Sequence, residues 1–270
     1  MKYLLLFTCM AALSLPAFPA DTVVTKAKHT DAITVPGSEK PAEVETEVTW
    51  VGMDRMRVDV SGWTTIVRWD TKKIYQINHA ARSYSVVDVP TDLKKYMSTT
   101  QAKYLEESTA QVTITVVRTA ETRKVKDWDA NKYVLTMTLP KGGSFTESIW
   151  VTKDLGLDTS VWMQMWGARM SLMSIGALMA KETLKIPGIP VLVERSQKIG
   201  ENTYTGRDEV VSVECKDAPE GHYEPPQDYT IKPFELSDGA MRTPPPVDVE
   251  LVPIKPTPPV KDPVGPPPAK

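Results

Sequence analysis

The segment Glu43–Val89 reads EVETEVTWVGMDRMRVDVSGWTTIVRWDTKKIYQINHAARSYSVVDV and decides the fold class. Runs of β-branched and aromatic residues, several at period two, alternate with short stretches of turn-forming residues such as Gly, Asp and Asn. The stretches between the runs are short enough for hairpins, which join antiparallel neighbours. The segment therefore predicts an antiparallel meander.

Strand-like runs continue on both sides of this segment. VVTKAKHTDAITV precedes it, and QVTITVVRTAETRKV, NKYVLTMTLP, SFTESIWVT, VLVERSQK and DEVVSVECK follow it. Helical patterns cover residues 92–107 and 157–184, the first after an acidic cap residue. We therefore predict an α+β protein with an antiparallel sheet of about ten or eleven strands and two helices. In the last strand, Val211, Val213 and Cys215 share one face, so we expect the Cys215 thiol to be buried.

The two ends of the chain differ in composition from the middle. MKYLLLFTCMAALSLPAFPADT has the layout of a cleaved signal peptide, so residues 1–20 predict export to the periplasm or beyond. From Thr243 the chain holds 11 of its 23 prolines, and residues 241–270 are predicted to form a Pro-rich disordered tail that serves as a spacer or recruits a protein partner. The folded domain is therefore expected over residues 21–240. The formal net charge of −2 argues against nucleic acid as a partner.

The second helical pattern contains VWMQMWGARMSLMSIGALMAK, Val161–Lys181, with five methionines and two tryptophans. A wheel at 3.6 residues per turn gives a wide apolar face with Arg169 in its middle. A transmembrane helix is disfavoured, because a central arginine costs about 2.5–3.5 kcal/mol on insertion. An ordinary core helix and the wall of a binding site both remain open. Arg169 must meet an anion or form a salt bridge, for which Glu45 and Glu47 are the candidates.

Methionine is flexible and is concentrated on surfaces that accept variable apolar partners. We therefore predict an apolar cavity for a lipid, an acyl chain or a lipid-modified protein, with Arg169 contacting an anionic group. The predicted cavity residues are Trp162, Met165, Trp166, Leu172 and Met173. One alternative is an envelope interaction or sensing module with a packed interior and a partner-recruiting tail. A lesser alternative is periplasmic copper binding by thioethers such as those of Met163 and Met165.

Motifs for catalysis are absent from the sequence. It contains no HExxH, GxSxG, CxxC or phosphate-binding glycine loop, and its three histidines are far apart along the chain. We therefore expect a protein that is not an enzyme, with no catalytic residues, no cofactor and no metal site.

Three stretches resemble a family of exported bacterial proteins of unknown function: TWVGMDRMRVDV with the hairpin TTIVRWDTKKIYQINHAARSYSVVDVP, then IPGIPVLVE, then PEGHYEPPQDYTIKPF. The resemblance spans most of residues 22–234. It implies a fold similar to that of the periplasmic lipoprotein carriers (LolA/LolB-like), an incomplete, curved antiparallel barrel covered by helices around a cavity for acyl chains. The motif residues, most of which we interpret as fold markers, are Trp50, Asp54, Arg55, Arg57, Arg68, Asp70, Tyr75, Tyr84, Gly188, Tyr223, Pro226 and Tyr229.

Overall fold

The computed structural model of the protein describes residues 20–35, 38–139, 144–199 and 202–236. The predicted Pro-rich tail and all but the last residue of the predicted signal peptide lie outside these described residues. The strands are β1 (Asp21–Thr30), β2 (Ile33–Val35), β3 (Ser38–Lys40), β4 (Glu43–Val51), β5 (Arg55–Val60), β6 (Trp63–Arg68), β7 (Lys73–Asn78), β8 (Ser83–Asp88), β9 (Thr113–Val125), β10 (Trp128–Thr138), β11 (Ser144–Thr152), β12 (Ile189–Ile199), β13 (Asn202–Lys216) and β14 (Thr230–Ile231). The helices are a 3₁₀ turn (Leu93–Tyr96), α1 (Thr99–Thr109), α2 (Thr159–Met170) and α3 (Gly176–Thr183).

Twelve of these strands form one open sheet in the order β14-β8-β7-β6-β5-β4-β1-β13-β12-β11-β10-β9, while β2 and β3 form a separate hairpin. All neighbours in the sheet are antiparallel except β14, which runs parallel to β8. The predicted α+β class and antiparallel sheet are confirmed. The eleven predicted runs correspond to β1 and β4–β13, and the twelfth strand, β14, is too short to give a periodic pattern.

The sheet is curved around α2. One core cluster contains Trp162 of α2 together with Ile74 of β7 and Ile189 of β12. Six strand spacings separate β7 from β12, which in a flat sheet is about 29 Å. Side chains so far apart can pack around one helix only if the sheet bends toward it. We call the side that carries α2 and α3 the helix face and the opposite side the outer face.

Both predicted helices are divided in two. The first gives the 3₁₀ turn and α1, because Ser98 forms a capping box with Gln101 and starts a new helix. The second, predicted as one helix over 157–184, is wrong as a single helix: α2 ends at Met170 and α3 begins at Gly176. None of the helices among the described residues has the length and hydropathy that crossing a membrane requires.

Gly176 explains the break between α2 and α3. A Cβ atom at this position would lie 1.9 Å from the carbonyl oxygen of Met170, so only glycine permits this close approach of the backbone. The N–H of Gly176 donates to the carbonyl oxygen of Met173 at 2.9 Å within the turn. Met173 therefore lies in the turn between two helices, and a wheel drawn through one continuous helix does not describe its direction.

Cys215 is exposed, and the prediction that its thiol is buried is wrong. Thr25 of β1 pairs with Ser212 while Lys26 pairs with Val210. Val211 is therefore an extra residue of β13 that has no pairing partner on β1, which is a β-bulge. This bulge makes Val210 a core residue and leaves Val211 exposed. Cys215 lies at the end of β13, beyond the part of the strand that the core covers.

Candidate functional site

The helix α2 begins at a strong cap. The side chain of Asp158 accepts hydrogen bonds from the backbone N–H groups of Ser160 and Val161, which orients the first turn of α2 on the helix face. The apolar residues of α2 then point toward the sheet, and its last turn carries Arg169. The helix α2 thus covers the core, as in the core-helix alternative that the sequence left open, and it ends earlier than predicted.

The predicted cavity residues fill the space beneath α2. Trp162 and Met165 are 1% and 0% exposed, and Leu172 is 3% exposed, so these side chains are almost completely surrounded by protein atoms. Trp166 packs against both core clusters of the helix face, and Met173 packs against the one beneath α3. In this structure the described residues of the helix face enclose packed side chains where the sequence predicted an open cavity. Ligand binding there requires α2 to move.

The two tryptophans of α2 form an aromatic platform for cations. Trp162 and Trp166, one helical turn apart, stack with ring centroids 5.5 Å apart and an interplanar angle of 8°. The ammonium of Lys26 lies 5.2 Å and 5.4 Å from the two ring centroids. The guanidinium of Arg169 lies 4.7 Å from the ring of Trp166. Cation–π attraction therefore supplements apolar packing between α2 and the sheet.

Arg169 pairs with a carboxylate of the sheet, which answers one question that the sequence left open. Its Nη2 lies 3.7 Å from Oε2 of Glu47, and Glu47 also accepts a hydrogen bond from Nζ of Lys28 at 3.4 Å. Nζ of Lys26 lies 3.8 Å from Oε1 of the same carboxylate. Glu47 is thus a buried anion at the centre of three cations.

The titration of this cluster follows from burial and charge. Burial raises the pKa of Glu47, but the charges of Arg169, Lys26 and Lys28 outweigh it and bring the pKa to about 2. Burial lowers the pKa of Lys26 despite the opposing charge of Glu47. Glu47 is therefore ionised at neutral pH, and its charge holds the surrounding cations in place.

The charged cluster continues across five neighbouring strands of the helix face. Nζ of Lys28 on β1 lies 3.7 Å from Oδ2 of Asp208 on β13. Arg195 on β12 donates two hydrogen bonds to Asp208 and one, at 2.8 Å, to Glu147 on β11. Sequence reasoning missed this row. Its signal is the period-two spacing of charged residues, as in KAK and EVETE, within strands that also carry core residues.

The outer face is covered by residues 217–229, and the family-like motif residues hold this cover. Arg57 Nη1 donates to the carbonyl oxygen of His222 at 2.8 Å, and Arg68 Nη1 donates to that of Tyr223 at 3.5 Å. The hydroxyl of Tyr223 donates to Oδ2 of Asp21 at 2.7 Å, and the guanidinium of Arg55 lies 4.7 Å from the Tyr223 ring. The arginines of DRMR and of IVRWD therefore hold residues 217–229 against the outer face.

Comparison with known proteins gives a family. The model of the family described as "Domain of unknown function (DUF4412)" matches residues 39–229. No curated protein matches the chain. Among solved structures, the chain is similar to the crystal structure of a domain from Vibrio parahaemolyticus that is assigned to outer membrane lipoprotein sorting, with 7% identity, a TM-score of 0.29, and coverage of 76% of this chain and 89% of that one.

Proposed function

The chain belongs to the family described as Domain of unknown function (DUF4412), and from the geometry of its helix face we propose that it is an exported, non-enzymatic protein that binds an amphiphile. The ligand class is a lipid, a fatty acid or the acyl chain of a lipid-modified protein. Its apolar chain lies between α2 and the sheet, and its anionic group contacts Arg169.

The observation that carries this proposal is that the guanidinium of Arg169 has unused hydrogen-bond donors. A guanidinium has five N–H donors, yet the guanidinium of Arg169 donates no hydrogen bond to any described residue, and its pair with Glu47 is long, at 3.7 Å. Its side chain is 18% exposed. By contrast, Arg195 makes three hydrogen bonds to two carboxylates. Arg169 therefore keeps donors available for a carboxylate or a phosphate.

The attachment of α2 to the sheet supports access by a chain. In the described part of the protein, no hydrogen bond joins α2 (Thr159–Met170) to a strand of the sheet; the contacts are apolar, cation–π and ionic. Such contacts are not tied to one geometry, and methionine adapts its shape to new neighbours. An acyl chain can thus replace the side chains that now fill the space, with burial of apolar area contributing about 25 cal/mol per Å².

The test uses the full chain and a fluorescent fatty acid, 11-(dansylamino)undecanoate, with its uncharged methyl ester as the control probe. We expect the acid to bind at a site whose affinity Arg169→Gln lowers at least tenfold, while the affinity of the ester changes little. Arg118→Gln, at an exposed arginine on β9, is the control variant. The proposal is contradicted if neither probe binds, or if Arg169→Gln leaves the affinity of every site that binds the acid unchanged.

Native mass spectrometry of protein purified gently from membranes gives an independent measurement. We expect a mass increment that corresponds to one amphiphile and that disappears on delipidation. The absence of any increment, together with the absence of probe binding, counts against an amphiphile ligand of any kind.

A second candidate function, an envelope interaction or sensing module, is favoured by the filled interior around Trp162 and Met165. Under this alternative the predicted Pro-rich tail recruits a protein partner. Deletion of residues 243–270 separates the two ideas, because partner recruitment should be lost under the second and probe binding kept under the first.

A further inference from the structure

A separate groove lies where the sheet ends at β8 and β14. It has a volume of about 660 Å³ and is formed by the 3₁₀ turn, by Val86 of β8 and by residues 231–234. This volume is within the range of about 300–1,000 Å³ that small-molecule sites occupy. None of the predicted cavity residues lines it, so it is distinct from the space beneath α2.

The groove exists because β14 stops after two residues. The N–H of Lys232 still donates to the carbonyl oxygen of Tyr84 at 2.8 Å, but the next residue is Pro233, which has no N–H to continue the pairing. The chain therefore leaves the edge of β8. The hydroxyl of Tyr96 accepts a hydrogen bond from the backbone N–H of Asp88 at 2.9 Å farther along that edge. A space remains between these two points of attachment.

The floor of the groove is apolar. The rings of Tyr96 and Phe234 meet edge to face with centroids 5.5 Å apart, and Phe234 is part of the main core cluster. Ile231 on the wall is 67% exposed, although isoleucine is a residue that folding ordinarily buries. An apolar ligand lying on this floor would cover Ile231 and gain contact with both rings.

Two lysine side chains line the groove. Lys95 and Lys232 both line it and both are exposed. No described carboxylate lies within ion-pair distance of either ammonium group; the nearby Asp88 pairs instead with Lys73, at 2.5 Å. An apolar floor beside two unpaired ammonium groups is complementary to a ligand with one apolar chain and one anionic group.

We propose that this groove binds a single-chain anionic amphiphile, of the fatty-acid class, with its carboxylate between Lys95 and Lys232 and its chain over Tyr96 and Phe234. The site goes beyond the proposed function, because it needs no movement of α2 and stands even if the helix face binds nothing. A free amphiphile is the ligand, because two ammonium groups beside an apolar floor match one carboxylate and one chain.

The experiment locates the ligand directly. A nitroxide-labelled stearate is added below its micelle concentration to the isotopically labelled full chain, and the broadening of amide signals is measured by NMR. We expect broadening at residues 93–97 and 231–235. The double variant Lys95→Gln/Lys232→Gln should lose this broadening. In the Arg169→Gln background, which removes the helix-face contact, the same double variant should bind dodecanoate at least tenfold more weakly in calorimetry. Lys124→Gln/Lys153→Gln removes the same charge at two other exposed lysines and should behave like the unmodified chain.

Further experiments distinguish this site from the helix face and from a membrane surface. Arg169→Gln should leave the broadening at 231–235 intact. Ile231→Ser should weaken the binding of dodecanoate more than the binding of hexanoate. The inference is overturned if, in the Arg169→Gln background, the double variant binds dodecanoate as tightly as Arg169→Gln alone. It is also overturned if broadening is confined to the α2 region, or if Arg169→Gln abolishes the broadening at 231–235. It is also overturned if phosphatidylglycerol vesicles bind through these lysines while free dodecanoate does not.

Discussion

The two faces of the sheet are covered in different ways. On the helix face, α2 contacts the strands through packed side chains, a stacked tryptophan pair and the ion pair of Arg169 with Glu47, without a hydrogen bond among the described residues. On the outer face, residues 217–229 have little regular structure but are held by side-chain hydrogen bonds to main-chain carbonyls and by the bond from Tyr223 to Asp21.

This difference indicates which cover can open. Hydrogen bonds to fixed carbonyls lose most of their strength when the partners shift by an ångström. Apolar and cation–π contacts have no such fixed direction, and they can be replaced by contacts with a ligand. The proposed binding of an acyl chain therefore requires α2 to move, whereas residues 217–229 of the outer face are held by directional hydrogen bonds. The following predictions test this contrast.

Trp162→Ala should have the largest effect on stability. The side chain is wholly buried between α2 and the sheet, and its removal leaves a cavity that should lower the free energy of unfolding by about 4 kcal/mol. Urea denaturation followed by circular dichroism measures the change. Trp63→Ala, at an exposed tryptophan of β6, is the control and should lose much less. A loss at Trp162 no larger than at Trp63 would show that α2 is not packed as described.

Glu47→Gln should have the second largest effect on stability, because it leaves three cations around an uncharged and buried amide. We expect a loss of about 3 kcal/mol, with Glu106→Gln, at an exposed ion pair, leaving the urea midpoint unchanged.

The same variant should alter the acid sensitivity of the protein. Since the pKa of Glu47 falls from 4.5 to about 2 in the folded state, its contribution is complete above about pH 4.5 and is lost as the pH falls toward 2. The stability difference between the unmodified chain and Glu47→Gln should therefore shrink over that interval. A difference that stays constant from pH 5 to pH 2 would contradict the buried charge cluster.

Tyr223→Phe tests the outer face. The hydroxyl donates to Asp21, which is buried and would lose this partner, so the free energy of unfolding should fall by about 2 kcal/mol. Hydrogen exchange should speed up in residues 217–229 and remain unchanged in α2. Tyr104→Phe, at an exposed tyrosine of α1, serves as the control. Faster exchange in α2 alone would reverse the contrast between the two covers.

Met165→Leu should have the smallest effect. The side chain is fully buried, but leucine has a similar volume and the soft packing of α2 should accommodate it, with a loss below about 1.5 kcal/mol. Met53→Leu, at an exposed methionine, is the matched control. A loss as large as that of Trp162→Ala would mean that the methionines are fixed in one arrangement, which would argue against an adaptable cover.

The strands were predictable from the sequence because the alternation of side chains across a strand is a local property. Runs such as RMRVDV and KIYQIN show it without reference to the rest of the chain, and the turns between them carry their own signals. The apolar character of α2 and the need of Arg169 for a partner were equally visible. The residues of α2 could thus be identified from the sequence. Whether the space beneath them is open or filled could not.

Tertiary structure decided everything that depends on which elements meet. Gly176 ends one helix and starts another because a neighbouring carbonyl leaves no room for a Cβ atom. Val211 turns outward because β1 pairs around it. The partner of Arg169 comes from β4, and the edge groove arises where β14 stops beside β8. Periodicity fixes the direction of each side chain relative to its own element, whereas partners and empty space are set by strand order, register and bulges, which arise only when distant segments pack.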